Sequence, residues 1–225
     1  MPGTLPAKSR SEKVPGTFSR GAWHLYNQYM KVFIVYAHPS RDSFTWEALE
    51  SFILGLKEAG HEYIISDLYE MGFKTDLSEA EYLREAYYRR ELPIPPDIIA
   101  EQEKINSSDA IVFIYPVFWS DAPAKLVGWF DRVWTFGFAY GDDRSMKQLE
   151  KGLVICITGN TLEYFAENGL LEAMKKVTLT DRLFDRVKSK EMITLDGTSR
   201  DLDLREKNKQ KHLKKAYEAG LKFNL

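Results

Sequence analysis

The sequence predicts an α/β fold in which a parallel sheet of five strands is covered by helices on both faces. Five short apolar runs alternate along the chain with segments whose apolar residues recur at helical spacing. One run, Ala110–Tyr115, is apolar at every position, which is typical of a central strand between two helical layers. Because crossover connections are right-handed, successive strands of such units are expected to be parallel.

The strands and helices can be assigned in chain order. The predicted strands are Val32–Tyr36, His61–Leu68, Ala110–Tyr115, Gly152–Thr158 and Glu191–Gly197. The predicted helices are Phe44–Ala59, Ser78–Arg90, Asp97–Ser107, Leu126–Trp134, Asn168–Val177 and Asp201–Leu221. We expect Gly60 to end the first helix, and Ser78 and Asp97 to be N-cap residues. In the last helix acids are mixed with bases, which favours a solvated surface helix over one that binds nucleic acid.

Composition excludes several classes of protein. With 225 residues, 44% of them hydrophobic, the chain can bury a substantial core in one domain. The longest apolar run, Ala110–Val117, is far shorter than the roughly 20 residues of a membrane-spanning helix. A net charge of -2 without a basic stripe argues against nucleic-acid binding. The single cysteine, Cys156, lies in an apolar run, so we expect a packed thiol, no disulfide and a cytoplasmic location.

Residues 1–29 differ from the rest of the chain. They contain two Pro-Gly pairs and four basic residues against one acid, without clear periodicity. We therefore expect an N-terminal extension, a cloning remnant or an upstream-start artefact, followed by one domain over residues 30–225 with Met30 as the functional start. A docking arm is the functional alternative. No apolar stretch of the kind found in secretory signals is present in this segment.

Three loops follow the first, third and fourth strands. They contain His38 to Thr45, Pro116 to Trp119, and Thr158 to Asn160. In a sheet of order 2-1-3-4-5 these loops meet in one crevice at the point where the strand order reverses. The first loop leads into a helix, whose unpaired N–H groups and dipole make it an anion site. Gly159 allows close approach of the backbone to a ligand.

These loops carry a family resemblance. The matching motifs are Ala37-His38-Pro39 with Ser43-Phe44, Pro116–Trp119 with Pro123-Ala124, Gly128–Val133, Gly137–Tyr140, and Thr158-Gly159. Each is a weak signal alone, but together, in order and at matching spacing, they are specific. Between Lys31 and Gly197 the chain resembles the flavin-dependent NAD(P)H:quinone oxidoreductases. That resemblance implies a flavodoxin-like three-layer sandwich of strand order 2-1-3-4-5.

The resemblance also implies a flavin site. His38, Ser43, Phe44 and Thr45 would hold the phosphate end, Pro116, Val117, Phe118 and Trp119 would run along the ring, and Thr158, Gly159 and Asn160 would complete its pyrimidine side. The chain departs from the family pattern at three of these loop positions. The family usually has Asn where Thr45 stands, often an aromatic residue where Ser120 stands, and commonly a glycine where Asn160 stands. FAD is favoured slightly over FMN, although the residues do not decide between them, and NAD(P)H is the expected co-substrate.

Further residues are implied to act on the substrate. Tyr164 lies near the position of a family tyrosine that assists proton transfer, but the histidine that follows it in the family is absent. We predict that Tyr164 is a hydrogen-bond donor to the ring or substrate; a surface or packing role is the alternative. Phe138 and Tyr140 resemble substrate-pocket residues, the tyrosine being supplied by the partner of a homodimer. Trp129 and Phe130 would suit that interface or the core. No metal site is expected.

These observations favour an oxidoreductase that passes a hydride from NAD(P)H through a bound flavin to a quinone or similar electrophile. One alternative is a non-catalytic or regulatory flavoprotein, such as an ancillary subunit of a potassium-efflux system. Another is a flavodoxin-like electron carrier. The His38-Pro39 pattern disfavours the carrier, whose phosphate loop is often rich in Thr and Ser.

Overall fold

The computed structural model describes residues 29–198 and 201–224, and its sheet has the predicted topology. All five strands are parallel and lie in the order β2-β1-β3-β4-β5, as expected for a flavodoxin-like fold. The strands are β1 (Lys31–Tyr36), β2 (Glu62–Asp67), β3 (Ala110–Pro116), β4 (Leu149–Ile157) and β5 (Val187–Leu195). Residues 1–28 of the predicted extension lie outside the described residues, so its nature stays a prediction.

Helices connect the strands and cover both faces of the sheet. They are α1 (Phe44–Glu58), α2 (Glu79–Ala86), α3 (Pro96–Asn106), α4 (Ala124–Val133), α5 (Leu162–Glu167), α6 (Leu170–Lys175) and α7 (Leu202–Leu221). Between α6 and β5 the chain forms a π-helix, Lys176–Leu183. Helices α1 and α7 bury one face of the sheet, whereas α3 and α4 bury the other. None of the helices in the described part of the chain has the length and apolar character needed to cross a membrane.

Several predicted details were wrong: the helix predicted over residues 78–90, for example, ends at Ala86, and the strand predicted from Glu191 begins at Val187. Asp97 is not an N-cap: Pro95 occupies that position, and Asp97 lies in the first turn of α3, where it pairs with Arg132 at 2.7 Å. The helix predicted over residues 168–177 ends at Lys175 and continues as the π-helix. Local periodicity predicts neither of these last two outcomes, because Asp97 pairs with an arginine that is distant in sequence and a π-helix differs from an α-helix in its hydrogen bonds.

Aromatic residues of α4 belong to the core. Trp129 is fully buried and Phe130 nearly so, and both rings pack against Phe113 of β3, with centroids 5.6 and 4.9 Å apart. The core interpretation of Trp129 and Phe130 is therefore correct. The thiol of Cys156 is also buried, as predicted, and burial raises its pKa to about 11.

The crossing of α1 and α7 depends on two glycines. A Cβ atom at Gly55 would lie 2.1 Å from the carbonyl oxygen of Tyr217, and one at Gly220 would lie 2.1 Å from that of Phe52. Real Cβ atoms do not approach backbone this closely. The two helices therefore touch backbone to backbone, which holds α7 directly against the helix whose N-terminus faces the predicted ligand site.

Candidate active site

The loops after β1, β3 and β4 lie side by side at one edge of the sheet. The N–H of Ala37 donates to the carbonyl of Ile114 at 3.1 Å, which joins the first loop to β3. The N–H of Val117 donates to the carbonyl of Ile157 at 2.8 Å, which joins the second loop to β4. The convergence predicted from the strand order is confirmed.

The first loop presents the N-terminus of the 15-residue helix α1. The Ser43 hydroxyl caps this helix by accepting the N–H of Trp46 at 3.2 Å. The N–H groups of Phe44 and Thr45 make no hydrogen bond to any described residue, so they are available to an anion. The side chains of Phe44 and Thr45 are buried. These two residues therefore offer backbone donors, and the departure at Thr45 from the family pattern falls on a buried side chain.

His38 and Arg41 are the two basic residues of this loop. His38 Nδ1 lies 3.0 Å from the amide nitrogen of Ser40 and 2.7 Å from its carbonyl oxygen, which leaves Nε2 as the ring nitrogen without a described partner. Nδ1 donates to the Ser40 carbonyl or accepts its N–H, depending on the tautomer, and Nε2 donates to a phosphate in the form that carries its proton. The Arg41 guanidinium lies 4.8 Å from the centroid of the Trp46 ring and pairs with Glu70.

The second and third loops enclose a cleft of about 420 Å³. Six residues predicted from the sequence line it: Val117, Phe118, Trp119, Gly159, Asn160 and Tyr164. Ser120, Phe165 and Leu170 complete the lining, whereas Pro116 is buried at the end of β3. The sequence predicted the two loops and Tyr164, but it gave no signal for Leu170, which the short helix α6 brings to the cleft.

Trp119 and Ser120 form the tip of a tight turn. Phe118 and Asp121 exchange both backbone hydrogen bonds, at 2.9 and 3.0 Å, and the two residues between them have φ angles of +52° and +62°. Two consecutive non-glycine residues in the left-handed region each cost on the order of 1 kcal/mol or more, and such strain is concentrated at functional sites. The turn projects the Trp119 side chain fully into solvent, at 101% relative exposure.

Thr158 shapes the third loop from within. Its N–H donates to the carbonyl of Leu195 at 2.9 Å, and its hydroxyl donates to the carbonyl of Asn160 at 3.0 Å. Its own carbonyl accepts both the N–H and the hydroxyl of Thr198 at 3.1 Å. The N–H groups of Gly159 and Asn160 remain without partners in the described chain. Thr158 is therefore fixed by its own hydrogen bonds, and the N–H groups of Gly159 and Asn160 are available to a ligand.

Tyr164 stands on the wall of the cleft. It lies in α5, which the Thr161 hydroxyl caps, and its side chain is partly exposed with the ring edge against Phe165. Its phenol has no hydrogen-bond partner among the described residues. The position suits a hydrogen-bond donor to a ligand in the cleft. The role of Tyr164 as that donor stays a prediction.

Phe138 and Tyr140 lie away from the cleft. Phe138 packs into the core cluster that includes the buried residues of α4. The hydroxyl of Tyr140 donates to Glu85 at 2.8 Å, and the same carboxylate accepts the N–H of Phe136 at 2.7 Å. Burial and the bond to Glu85 raise the pKa of Tyr140, so its phenol is neutral. Neither residue lines the cleft of its own chain, and their role in substrate binding stays a prediction.

One residue of α7, His212, departs from the expectation that this helix is a solvated surface helix. It is buried, its Nε2 lies 2.8 Å from the carbonyl oxygen of Asp196 beyond the end of β5, and its ring packs against Phe44. Several residues near His212 in the sequence are charged, so the local sequence does not indicate that its side chain is buried. Through it, α7 holds both the end of β5 and the start of α1.

The residues present fit a flavin. An apolar-walled cleft is bordered by four N–H groups without partners in the described chain, and the N-terminus of α1 offers further donors at the same edge of the sheet. The four N–H groups are those of Trp119, Ser120, Gly159 and Asn160. They match the acceptor atoms of a flavin's pyrimidine side, and the donors of α1 match a phosphate.

Comparison with known proteins agrees with this arrangement. A family model described as a flavodoxin-like fold matches residues 30–219. A solved structure of an NAD(P)H:quinone oxidoreductase from Methanothermobacter marburgensis is 46% identical, with a TM-score of 0.81, and the match covers 87% of this chain and 98% of that chain.

Two mammalian proteins are also similar. NAD(P)H dehydrogenase (quinone) 1 of Rattus norvegicus is 32% identical over 157 residues, covering 62% of this chain and 57% of the relative. Ribosyldihydronicotinamide dehydrogenase (quinone) of Homo sapiens is 34% identical over 159 residues, covering 62% of this chain and 68% of the relative. The match thus spans little more than half the length of the rat protein. The chain belongs to the flavodoxin-like family, and the resemblance to NAD(P)H:quinone oxidoreductases that its loops indicated is confirmed.

Proposed function

We propose that this protein is a flavin-dependent oxidoreductase that uses NAD(P)H to reduce a quinone or a similar electrophile. One observation carries the proposal: N–H groups of two loops, unpaired within the described chain, border a cleft of about 420 Å³ at the same sheet edge as the unpaired N–H groups of α1. The similarity to the quinone oxidoreductase of Methanothermobacter marburgensis, at 46% identity over nearly all of that chain, supports it.

The chain's own residues bind and orient the reactants. A flavin held by these loops would supply the redox chemistry, hydride transfer between NAD(P)H and the electrophile. The N–H groups of Gly159 and Asn160 stabilise negative charge on the pyrimidine side of the ring. Phe118 and Trp119 offer exposed apolar surface beside the cleft that a bound ligand would cover, and Tyr164 would donate a hydrogen bond to the ring or to the electrophile. Positioning of this kind supplies most of the protein's contribution to hydride transfer.

We propose that the flavin is FAD. FAD carries a pyrophosphate where FMN carries a single phosphate. Arg41 lies in the same loop as His38, the residue proposed to bind the phosphate end. The guanidinium of Arg41 already lies over the ring of Trp46. Because its charge is already paired with Glu70, Arg41 contributes mainly a flat stacked surface with Trp46 next to the start of α1, which suits an adenine.

We also propose a cytoplasmic homodimer in which Tyr140 approaches the cleft of the partner subunit. In one chain, Tyr140 lies outside the cleft, and the neutral phenol bound to Glu85 is held in a fixed orientation. Sedimentation of the purified protein tests the dimer, and a monomer at micromolar concentration would contradict it. Fractionation of the native cells tests the location.

The absorbance spectrum of the purified protein is the first test. We expect the bands of oxidised flavin, bleached by NADH or NADPH under nitrogen and restored by a quinone. Release of the cofactor by denaturation, followed by chromatography, distinguishes FAD from FMN. A protein that takes up neither FAD nor FMN would exclude the proposed function. A flavoprotein that NAD(P)H reduces but no quinone reoxidises would favour the regulatory alternative.

A further inference from the structure

A second cavity lies on the other side of the Trp119–Ser120 turn. Its volume is about 240 Å³, and we call it the π-helix pocket. Its walls are the end of β3 with the turn that follows, the helix α6 and the start of the π-helix. Trp119 and Ser120 line both this pocket and the flavin cleft, so the two spaces are separated only by the tip of the turn.

The pocket has apolar walls and neutral polar groups. Ala173, Met174 and Val177 line it from the helical side. The hydroxyls of Tyr115 and Thr178 lie close together within it, and burial raises the pKa of Tyr115, which keeps its phenol protonated. These groups offer an apolar surface and hydroxyl groups, which suits an uncharged ligand.

The one acid in the lining, Asp121, is already neutralised. Arg182 of the π-helix donates to its two carboxylate oxygens at 2.7 and 3.3 Å, and the N–H of Ala122 donates to it at 2.6 Å. Among the described residues that line the pocket there is no lysine, arginine or histidine. A charged ligand would therefore lose its hydration without gaining a counter-charge from this lining. A hydrocarbon group has no such hydration to lose, and its removal from water is favourable.

The wall formed by the π-helix is a fixed element. The N–H of Phe184 donates to the carbonyl of Leu179 at 3.2 Å, the i to i−5 bond that defines this helix. The indole N–H of Trp134 donates to the carbonyl of Arg182 at 2.9 Å, and the Arg182 guanidinium lies 4.9 Å from the centroid of the Phe130 ring. The π-helix is thus anchored to the core of α4 and to the turn.

We propose that the π-helix pocket binds an apolar side chain of the quinone whose ring lies in the flavin cleft. This inference rests on the proposed function. The small side chain of Ser120 leaves the two spaces adjacent, so a chain attached to the quinone ring passes the turn there. The volume equals that of about eight liquid waters, which accommodates a short hydrocarbon chain. The enzyme would then prefer alkyl- or prenyl-substituted quinones to unsubstituted ones.

Variants at Ala173 and Val177 test the preference, since both residues line the π-helix pocket but not the cleft. Ala173→Phe fills the pocket, and Val177→Phe fills it from the next turn; Ala173→Ser is the matched control. The substrates are menadione and a menadione derivative with a hexyl chain on the free ring carbon. We expect each filling variant to lower kcat/KM for the hexyl derivative by about tenfold or more relative to menadione, the effect of losing about two buried methylene groups. Equal changes for both quinones would overturn the proposal.

A binding experiment separates this inference from the proposed function. Hexylbenzene is redox-inactive, and its binding to the purified protein is measured by calorimetry, with or without flavin. We expect wild type and Ala173→Ser to bind it and both filling variants to bind it about tenfold more weakly or worse. Unaltered binding by both filling variants would reject the pocket. If the protein reduces no quinone, the proposed function fails while the calorimetry still shows whether the pocket takes a hydrocarbon.

Discussion

Asp121 and Arg182 join the Trp119–Ser120 turn to the π-helix through two hydrogen bonds, at 2.7 and 3.3 Å. The turn holds two residues in the left-handed region, so it needs contacts that oppose its relaxation. Arg182 is largely buried and Asp121 is half exposed, which limits what the pair contributes to global stability. Its main consequence is local: it fixes the wall shared by the cleft and the π-helix pocket.

Replacing Arg182 by Gln is expected to weaken flavin binding by about threefold or more while lowering the stability of the fold by only about 1 kcal/mol. The reason is that the turn carrying the Trp119 and Ser120 amides loses the hydrogen bonds between Arg182 and Asp121. Flavin titration and thermal unfolding measure the two effects. Arg144→Gln is the control, since Arg144 pairs with Asp185 at 2.6 Å away from the cleft. A similar loss of flavin affinity in both variants would contradict the prediction.

His38→Ala is predicted to weaken flavin retention by about tenfold or more, because one hydrogen bond to a charged group is worth about 1.5–3 kcal/mol. His38→Gln keeps an N–H donor and should retain more of the affinity. Equilibrium dialysis of the flavin-depleted variants measures the dissociation constants. Unchanged affinity in His38→Ala would remove His38 from the site.

Tyr164→Phe should lower kcat by about tenfold without changing flavin retention, the effect of losing one hydrogen bond that forms in the transition state. Stopped-flow measurement of flavin reduction and reoxidation shows which half-reaction slows. Tyr63→Phe, in β2 and remote from the cleft, is the matched control. Equal rates in Tyr164→Phe and wild type would assign Tyr164 to a surface or packing role.

Tyr36→Phe is expected to leave the stability at pH 7 unchanged or raised, because the buried Tyr36 hydroxyl has no hydrogen-bond partner of good geometry among the described residues. Burial raises the pKa of Tyr36 from 10.0 to about 12, although the nearby Ser43 hydroxyl and Arg41 lower it. The phenol therefore adds no pH dependence below about pH 10, whereas stability falls as the pH rises from about 10 toward about 12, because the tyrosine ionises in the unfolded chain before it does in the fold. Urea unfolding at about pH 7 and about pH 11 should show a smaller alkaline loss in Tyr36→Phe. A loss equal to that of wild type would be the contrary result.

Gly220→Ala is predicted to destabilise the fold by about 1–3 kcal/mol, since the new Cβ would overlap the Phe52 carbonyl at the α1–α7 crossing. Gly169→Ala is the comparison: it has φ +68° but meets no atom within 4 Å, so only the backbone term of about 1–2 kcal/mol applies. A combined Gly55→Ala and Gly220→Ala variant should also release His212 from the end of β5. Urea unfolding measures all three. A tolerated Gly220→Ala with unchanged unfolding would show that the helices can separate at little cost.

The sequence by itself determined the fold class and the loops of the site, and its resemblance to the quinone oxidoreductases implied the strand order. Apolar periodicity is a local property, and right-handed crossovers leave few ways to assemble alternating strands and helices. Once the order was given, the loops holding His38, Trp119 and Gly159 had to meet at one edge, because the carboxyl ends of parallel strands point the same way.

Only the tertiary structure decided which atoms of those loops are available. The carbonyl of Thr158 and the carboxylate of Asp121 are occupied by Thr198 and Arg182, which are distant in the chain, whereas the amides of Gly159 and Ser120 have no partner among the described residues. The burial of Trp129 and His212, and the pocket beside the π-helix, likewise depend on which elements pack together. Burial and hydrogen-bond partners are set by long-range contacts, and spacing along one sequence does not encode them.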